Sequence, residues 1–275
     1  MRNIIESHID ALLSDGLFSH EDSRSDKNSY KLNENSRVKL IVEDKEHIEF
    51  IWGEDYMIGT PAFWVNQAKS LPQKLNLRVG KSLREEIIFC ILGGHGITFE
   101  LNEAAFHALK REGLVHGDSI PSEMQIEAVL KQPLNVNGRI KPIRYRFPVM
   151  KSKRIHQALK ILKSSAPPAH PLSLRNWLMT LPGIGYKTAS WIVRDYLNSD
   201  LIAIIDIHVQ RAGVAAGFFK PYWKLPNDYN LFEKAFLGYA KIGGVSASIL
   251  DICIWEHMRG FGRHAKTLLP RQVPI

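Results

Sequence analysis

Apolar residues recur at three- and four-residue spacing along most of the chain, and this is the periodicity of amphipathic helices. Two short runs near the N-terminus, 38–42 and 47–52, are instead rich in β-branched and aromatic residues and flank the polar segment 43–46, which predicts a β-hairpin. An amphipathic helix is predicted over 3–14, followed by a polar loop or linker over 19–36. The predicted helices after the hairpin span 83–92, 99–111, 122–131, 151–163, 173–180, 186–197, 207–216, 230–241 and 246–258.

These elements predict a mainly α-helical protein with a small N-terminal α+β portion that contains the hairpin. The change of pattern near residue 83 predicts an N-terminal subdomain over 1–82 and a helical domain over 83–275. An apolar content of 45% in a chain of 275 residues is enough to build a substantial core. No apolar run approaches the roughly 20 residues that a membrane-spanning helix needs, so we expect no membrane partner.

Charge and cysteine content add two constraints. Lys and Arg exceed Asp and Glu by 36 to 28, and the formal net charge of +8 favours a polyanionic partner without requiring one. The two cysteines, Cys90 and Cys253, each lie inside an apolar run, which predicts buried thiols in a reducing, intracellular compartment. Two cysteines are too few to hold a metal cluster, and we expect no metal, no cofactor and a monomeric chain.

One stretch, LPGIGYKTA over 181–189, predicts a tight turn between two helices. Pro182 ends the first helix, while Gly183 and Gly185 permit a turn that is too tight for residues with a Cβ. The first amides of the second helix then point outward, and such a helix N-terminus binds a phosphate. The sequence therefore predicts a helix-hairpin-helix over 172–197 that grips one backbone phosphate of a nucleic acid.

A second block, IIDIH over 204–208, follows at a suggestive distance, because Asp206 lies 19 positions after Lys187. Together the two blocks resemble the helix-hairpin-helix DNA glycosylase superfamily, and within it the 8-oxoguanine glycosylase/lyase branch. The resemblance implies the glycosylase fold, with Lys187 as the nucleophile that forms a Schiff base, Asp206 as its helper and His208 as a phosphate contact. By the same resemblance a monovalent cation could bind the backbone carbonyls of the hairpin, although no side-chain pattern marks one.

The resemblance also implies a partner and a location. The partner would be double-stranded DNA that contains a modified base, such as oxidised guanine. The location would be the cytoplasm at the nucleoid, or the nucleus of a eukaryote. Two other functions stay open: a non-catalytic duplex-binding module that uses only the hairpin, and a monofunctional glycosylase for alkylated bases in which Lys187 is incidental.

Elementary chemistry constrains the two candidate catalytic residues. An amine nucleophile must be neutral, whereas a free lysine, with a pKa of about 10.4, is almost wholly protonated at neutral pH. Lys187 would therefore need desolvation, a nearby cation or a base. Each residue also has a plainer interpretation, because Lys187 suits a solvated helix surface and Asp206 is a favoured N-cap of the helix that follows.

Residues that would read the base are less clearly marked. The loop Gly93–Gly96 separates the first two helices of the helical domain, and it either ends a helix or presents His95 as a wedge into the gap left by a flipped base. It departs from the asparagine-rich loop of the family. The pair Tyr145 and Arg146 resembles a second, wedge-supporting element. On the last helix, Asp251 and Trp255 share one face and could contact the base, although core packing is the ordinary role of such a tryptophan.

Overall fold

The computed structural model describes residues 32–43, 46–72 and 78–269, so the predicted helix over 3–14 lies outside the described part. Within it the chain forms two compact units. The first unit combines Met1–Asn76 with Asp200–Ile275, and the second is Leu77–Ser199. The predicted division at residue 82 is a division along the sequence and stays a prediction.

The predicted β-hairpin is present in the first unit. Strands β1 (Arg37–Glu43) and β2 (Glu46–Ile51) pair antiparallel, with a register irregularity between Ile41 and Glu43. Alternate side chains are buried along both strands, as expected when one face of a hairpin packs on a core. The buried side chains of this face are Val38, Leu40, Val42, Ile48 and Phe50.

Helices make up most of the remaining described residues, which confirms the mainly α-helical class. In chain order they are α1 (Pro61–Lys69), α2 (Leu83–Leu92), α3 (Phe99–Arg111), α4 (Glu123–Lys131), α5 (Pro148–Lys163), α6 (Pro171–Leu178), α7 (Tyr186–Leu197), α8 (Ile207–Ala216), α9 (Tyr229–Gly243), α10 (Ala247–Phe261) and, after a 3-10 turn at Gly262–His264, α11 (Ala265–Leu268).

Most helix boundaries follow from capping residues. Helices α2, α3, α7 and α8 have the predicted bounds, and α4 begins directly after Ser122, its N-cap. The predicted starts of α5 and α6 are wrong, because these helices begin earlier, at Pro148 and Pro171. Proline at the first helical position has no amide to leave unpaired and has its φ already near the helical value. Helix α9 extends beyond both of its predicted bounds, and α10 continues past its predicted end. Helix α6 ends before residue 180, its predicted end, and α1 was not predicted as a separate helix.

Aromatic side chains fill the core of the first unit. Phe218 stacks on Tyr239 at 4.1 Å, and Phe50 of β2 meets both rings edge-on. The hydroxyl of Tyr239 donates to the carbonyl of Pro61, which fixes the start of α1 against α9. The buried hairpin face and the helices of this unit therefore share one core.

Helix α2 is the central element of the second unit. Every residue from Glu85 to Leu92 is buried, and the helix packs against α3, α5 and α7. The stretch Ile87–Leu92 is apolar on all sides, as expected at the centre of a bundle rather than at its surface. Cys90 lies in this buried stretch, and Cys253 is buried on α10, so the prediction of two buried free thiols is confirmed.

Among the described helices, none is by itself long and apolar enough to cross a membrane. The pair Tyr229–Gly243 and Ala247–His264, bent by 103°, reaches the necessary length and apolar content only when its two members are taken together.

Candidate active site

The turn between α6 and α7 has the geometry of a closed hairpin. The amide of Ile184 donates to the carbonyl of Leu181 at 3.2 Å, and both side chains are buried. Gly183 has φ +82°, a conformation that residues with a side chain rarely adopt. The side chain of Arg154 on α5 lies 2.5–2.9 Å from the point where a Cβ would stand on Gly183. The backbone conformation therefore favours glycine at this position, whereas a Cβ would displace the flexible end of the Arg154 side chain.

Gly185 is a different case, and here the expectation of a steric need for glycine is wrong. Its φ of −104° and ψ of −174° are ordinary extended values, and a Cβ would meet open space. The residue is the N-cap of α7 and supplies no side-chain hydrogen bond to the first turn. The amides at this helix end are consequently left without a side-chain cap, which is the arrangement that binds anions.

Lys187 lies in this first turn of α7 and is exposed. Its Nζ stands 6.0 Å from the centre of the Trp191 ring, near the outer limit of a cation–π contact. The indole is itself fixed, because its Nε1 donates to Asp195 Oδ2 at 2.8 Å, and Arg194 Nε donates to the other carboxylate oxygen at 2.7 Å. Burial raises the pKa of Asp195, and the Arg194 charge opposes that rise. A rigid ring therefore supports an exposed amine.

Asp206 stands at the start of α8 in the first unit and is buried. Its Oδ1 accepts hydrogen bonds from the amides of His208, at 2.8 Å, and Val209, at 2.9 Å. The predicted N-cap role is therefore confirmed. Oδ2 has no hydrogen-bond donor among the described residues, so one oxygen holds the helix and the other is available for chemistry. His208 is half-buried in the same turn.

The segment 202–205 that leads to Asp206 is buried and is held by side chains instead of a sheet. Ala203 donates its amide to Glu233 at 3.1 Å, and Tyr229 both donates to the Ala203 carbonyl and accepts from the Ile205 amide. Asp251 Oδ2 accepts from the Ile204 amide at 3.3 Å. These bonds satisfy a buried backbone, as they must, and they fix the direction in which the chain delivers Asp206.

The residues suggested for base contact fall into two groups. In the second unit His95 is exposed at the tip of the loop Gly93–Gly96, the Arg146 guanidinium lies against Gly96, and the hydroxyl of buried Tyr145 donates to the carbonyl of Leu92. The structure thus brings His95, Tyr145 and Arg146 together, with Tyr145 beneath the loop and not at its tip. That position suits support of a wedge, although the wedge itself stays a prediction.

On α10 of the first unit the two suggested residues differ in burial. Asp251 is buried beneath segment 202–205, where it acts as a structural acceptor. Trp255 is half-buried, with the Arg259 guanidinium 5.1 Å from its ring centre. Trp255 is therefore not simply a core residue, and its contact with a base stays a prediction. Among the described residues, no group of three or more His, Cys, Asp or Glu side chains could hold a metal ion.

A family model described as 8-oxoguanine DNA glycosylase matches residues 69–245, which is more than half of the chain. The chain belongs to this family. It is thus a DNA glycosylase with the helix-hairpin-helix fold of the 8-oxoguanine branch. The matched range includes both candidate catalytic residues and the loop Gly93–Gly96, whereas Asp251 and Trp255 lie outside it.

Solved structures of the same kind share the fold. The 8-oxoguanine glycosylase/lyase of Methanocaldococcus jannaschii, in complex with a 15mer DNA containing 8-oxoguanine, is 23% identical with a TM-score of 0.50, over 73% of this chain and 89% of the other. A second structure of an 8-oxoguanine DNA glycosylase from that organism gives the same identity and TM-score, over 73% and 86%. No protein in the search of curated sequences matches this glycosylase.

Three residues near the candidate site of this glycosylase were missed in the sequence. Lys151 and Arg154 lie in the run KSKR, which reads as an ordinary solvated helix face. Trp191 follows Lys187 by one helical turn, and that spacing was the available signal. The roles of Lys151 and Arg154 depend on contacts with residues far away in sequence, which no local pattern indicates.

Proposed function

We propose that this glycosylase removes 8-oxoguanine from duplex DNA and then cleaves the strand, with Lys187 as the nucleophile. The observation that carries the proposal is an exposed primary amine in the first turn of a helix whose N-terminus has no side-chain cap. A phosphate held by that helix end would bring a neighbouring sugar toward the amine. The family match and the 8-oxoguanine in the description of that family support the choice of substrate.

The reaction requires two bond changes at the sugar. The neutral amine of Lys187 attacks C1′ while the bond from C1′ to the base breaks, and the base leaves with the bonding electrons and gains a proton. Loss of a proton from the new C–N centre and opening of the sugar ring give a Schiff base between Nζ and C1′. Removal of a proton from C2′ then expels the 3′ phosphate, and the strand is nicked.

Asp206 is proposed to stabilise the positive charge that develops on the sugar, or to accept a proton. Its Oδ1 is fixed by two amides, so the direction of its free Oδ2 is set before substrate binds. A carboxylate held in this way needs little reorganisation during the reaction. That it serves the same nucleotide as Lys187 is inferred from the family resemblance of the two sequence blocks.

The amine must also lose its proton, and its exposure bears on how this happens. Because Lys187 is exposed in the free protein, its own unit does not exclude water from the amine. Docking of a duplex over the exposed side chain would exclude water and favour the neutral form. The enzyme would then be activated by its substrate.

DNA affinity is proposed to come from contacts between protein groups and DNA phosphates, and not from contacts with the bases. The amides after Gly185 and the open space above that residue suit one phosphate, with Gly183 closing the turn. His208, half-buried at the start of α8, is proposed as a second phosphate contact. Double-stranded DNA with a modified base is the proposed partner, and the base must leave the stack before it reacts.

Borohydride trapping tests this function. The wild-type protein is incubated with duplexes containing 8-oxoguanine or other oxidised bases, reduced, and examined for a covalent protein–DNA adduct. We expect an adduct with wild type and none with Lys187→Gln. The matched control is Lys153→Gln, which removes another exposed lysine of the same unit and should leave the adduct intact.

Other outcomes separate the competing functions. Base release without an adduct would indicate a monofunctional glycosylase, and an adduct that persists in Lys187→Gln would refute Lys187 as nucleophile. Duplex binding without release of any oxidised or alkylated base would point to a binding module. Release of alkylated bases alone would refute oxidised guanine as the substrate.

A further inference from the structure

Lys151, a residue without a role in the chemistry above, has an unusual environment. It lies in the first turn of α5, and only 6% of its surface is exposed. Its Nζ donates to the carbonyl oxygens of Ile91 and Gly93, both at 2.5 Å. The same nitrogen lies 3.6 Å from the point where a Cβ would stand on Gly94. The ammonium group therefore lies directly beneath the end of α2 and the start of the loop Gly93–Gly96.

This buried cation is not balanced by an acidic side chain. No carboxylate forms an ion pair with it among the described residues, and burial, with the nearby charge of Arg154, lowers its pKa to about 8. The carbonyls at a helix C-terminus supply partial negative charge, which offsets part of this penalty. An apolar side chain of similar length would fill the space without a buried charge. Packing alone therefore does not explain a lysine here, whereas two directional bonds to carbonyls do.

The loop that Lys151 holds is conformationally demanding. Gly94 has φ +123° and Gly96 has φ +77°, both outside the range that residues with side chains favour. The amide of Ile97 donates to the Gly94 carbonyl at 3.0 Å and closes the turn. Such a loop keeps one conformation only when its surroundings determine it.

One stretch of chain supplies most of that support. Tyr145 donates its hydroxyl to the Leu92 carbonyl, the Arg146 guanidinium lies against Gly96, and Lys151 binds the carbonyls on either side of Leu92. Three side chains within seven positions of each other thus hold the loop from below and from one side. His95, at the exposed tip, therefore belongs to a loop whose backbone is fixed by these three side chains.

We infer that Lys151 is a positioning residue for base excision: its ammonium group fixes the loop Gly93–Gly96 so that His95 can occupy the gap left by an everted base. This inference rests on the proposed function. A loop that is already ordered does not lose conformational freedom when it enters the duplex, so the everted state is favoured. Lys151 itself contacts no reacting atom.

The test compares excision from two duplexes under single-turnover conditions. In one, 8-oxoguanine faces a normal base, and in the other it faces an abasic site, where eversion requires no unpairing. We expect Lys151→Met to slow excision about tenfold to a hundredfold on the paired duplex, as small misplacements remote from the chemistry can do. The defect should be much smaller opposite the abasic site, and duplex affinity should be unchanged. Lys153→Met, an exposed lysine of α5, is the matched control and should behave as wild type on both.

A merely structural role predicts something else, namely an equal loss on both duplexes together with a lower melting temperature, and that result would overturn the inference. Equal excision by wild type and Lys151→Met on the paired duplex would overturn it as well. If wild type excises no base from any duplex, the proposed function has failed, which is a separate outcome.

A second variant keeps the inference testable if Lys151→Met does not fold. Gly94→Ala strains the same loop directly, because its φ of +123° is unfavourable for alanine. It should show the same dependence on the base opposite the lesion. A double variant with His95→Ala completes the design, since removing His95 should abolish most of the additional effect of Lys151→Met if the lysine acts through the loop. Additive losses would contradict that route.

Discussion

The first turns of α7 and α8 carry the two candidate catalytic residues, and these helix ends are built in opposite ways. Helix α7 begins after Gly185, has no side-chain cap and presents Lys187 to solvent. Helix α8 begins after Asp206, whose buried carboxylate accepts two of its amides. In both helices the first amides have no acceptor within the helix itself, and both N-termini carry a partial positive charge. One leaves them open to an external anion, and the other satisfies them with its own.

The difference suits the two ends to different tasks. An open N-terminus can bind a ligand phosphate but does little to order the side chains around it. In the described part of the chain, the Lys187 amine makes a distant contact with the ring of Trp191. A closed N-terminus binds no phosphate at its capped amides but fixes the carboxylate that closes it. A reaction that needs an exposed nucleophile and a fixed charge would use one of each.

The largest expected effect comes from neutralising the closed end. Asp206→Asn keeps a side-chain oxygen that can cap α8, because asparagine is as good an N-cap as aspartate. We expect base excision to fall by roughly 10²–10⁴-fold, the usual contribution of a positioned acid or base, while duplex affinity and melting temperature stay close to wild type. Single-turnover excision, duplex titration and thermal unfolding measure the three quantities.

Asp206→Ala is the companion variant, because it removes cap and charge together. It should lose about 1 kcal/mol of unfolding free energy in addition to the loss of excision. A wild-type excision rate in Asp206→Asn would show that Asp206 only caps the helix. A large loss of unfolding free energy in Asp206→Asn would mean that the charge of Asp206, and not its capping hydrogen bonds, stabilises α8.

The next effect comes from closing the open end. Gly185→Asp places a carboxylate at the N-cap of α7, where the backbone is extended and space is free. The helix should gain a few tenths of a kcal/mol, since aspartate exceeds glycine as an N-cap by about that amount. Duplex affinity should fall at least about tenfold, because like charges placed opposite each other at an interface cost several kcal/mol. Chemical denaturation and duplex titration check the two parts.

Gly185→Ala separates shape from charge in this experiment. Its methyl group adds no charge and meets no protein atom, so the fold should tolerate it. A smaller loss of affinity than in Gly185→Asp would support a phosphate at this helix end. Unchanged affinity in the aspartate variant would place the phosphate elsewhere and remove the contrast between α7 and α8.

Local sequence patterns predicted one of these helix ends better than the other. The N-cap at Asp206 and the bounds of both helices follow from apolar periodicity and the preferred residue types of helix ends, which act over a few positions. The turn at Gly183 was predicted for the same reason. The steric need for glycine at position 185 was predicted as well and is wrong, because neither its φ nor the surrounding space requires glycine.

The buried position of Lys151 could not be predicted from the residues around it in the sequence. Its acceptors lie 60 and 58 positions earlier in the chain, and the surrounding KSKR is what a solvated helix face looks like. Asp251 is a similar case, because its position on one face of α10 suggested a ligand contact, while its observed acceptor role depends on a segment 47 positions earlier. Burial of a polar side chain by distant elements was not visible in the periodicity of its own helix.

The smallest expected effect is a change of stability with pH, and it concerns a carboxylate near the start of a third helix, α2. Helix α2 is capped by Ser82, whose hydroxyl accepts from the Glu85 amide. In its first turn, the buried Glu86 binds the segment before the helix: its Oε1 accepts from the Gly80 amide at 2.7 Å, while its Oε2 is buried with no hydrogen-bond partner. Burial raises the pKa of Glu86 from 4.5 to about 8, although the Gly80 amide opposes the rise. Near this helix start a buried carboxylate is therefore favoured in its protonated form.

The sign of the pH effect follows from linkage. The pKa of Glu86 is higher in the folded state than in the unfolded state, so its contribution to stability is fully present below the unfolded value of 4.5 and is lost as pH rises through about 8. In that window this group should lower the unfolding free energy by at most about 1.4 kcal/mol per pH unit. Glu86→Gln is neutral throughout and should lack this slope, so its stability relative to wild type should increase between pH 5 and pH 8. Denaturant unfolding at several pH values measures the difference, and parallel curves for the two proteins would mean that burial does not raise the pKa of Glu86 in the folded state.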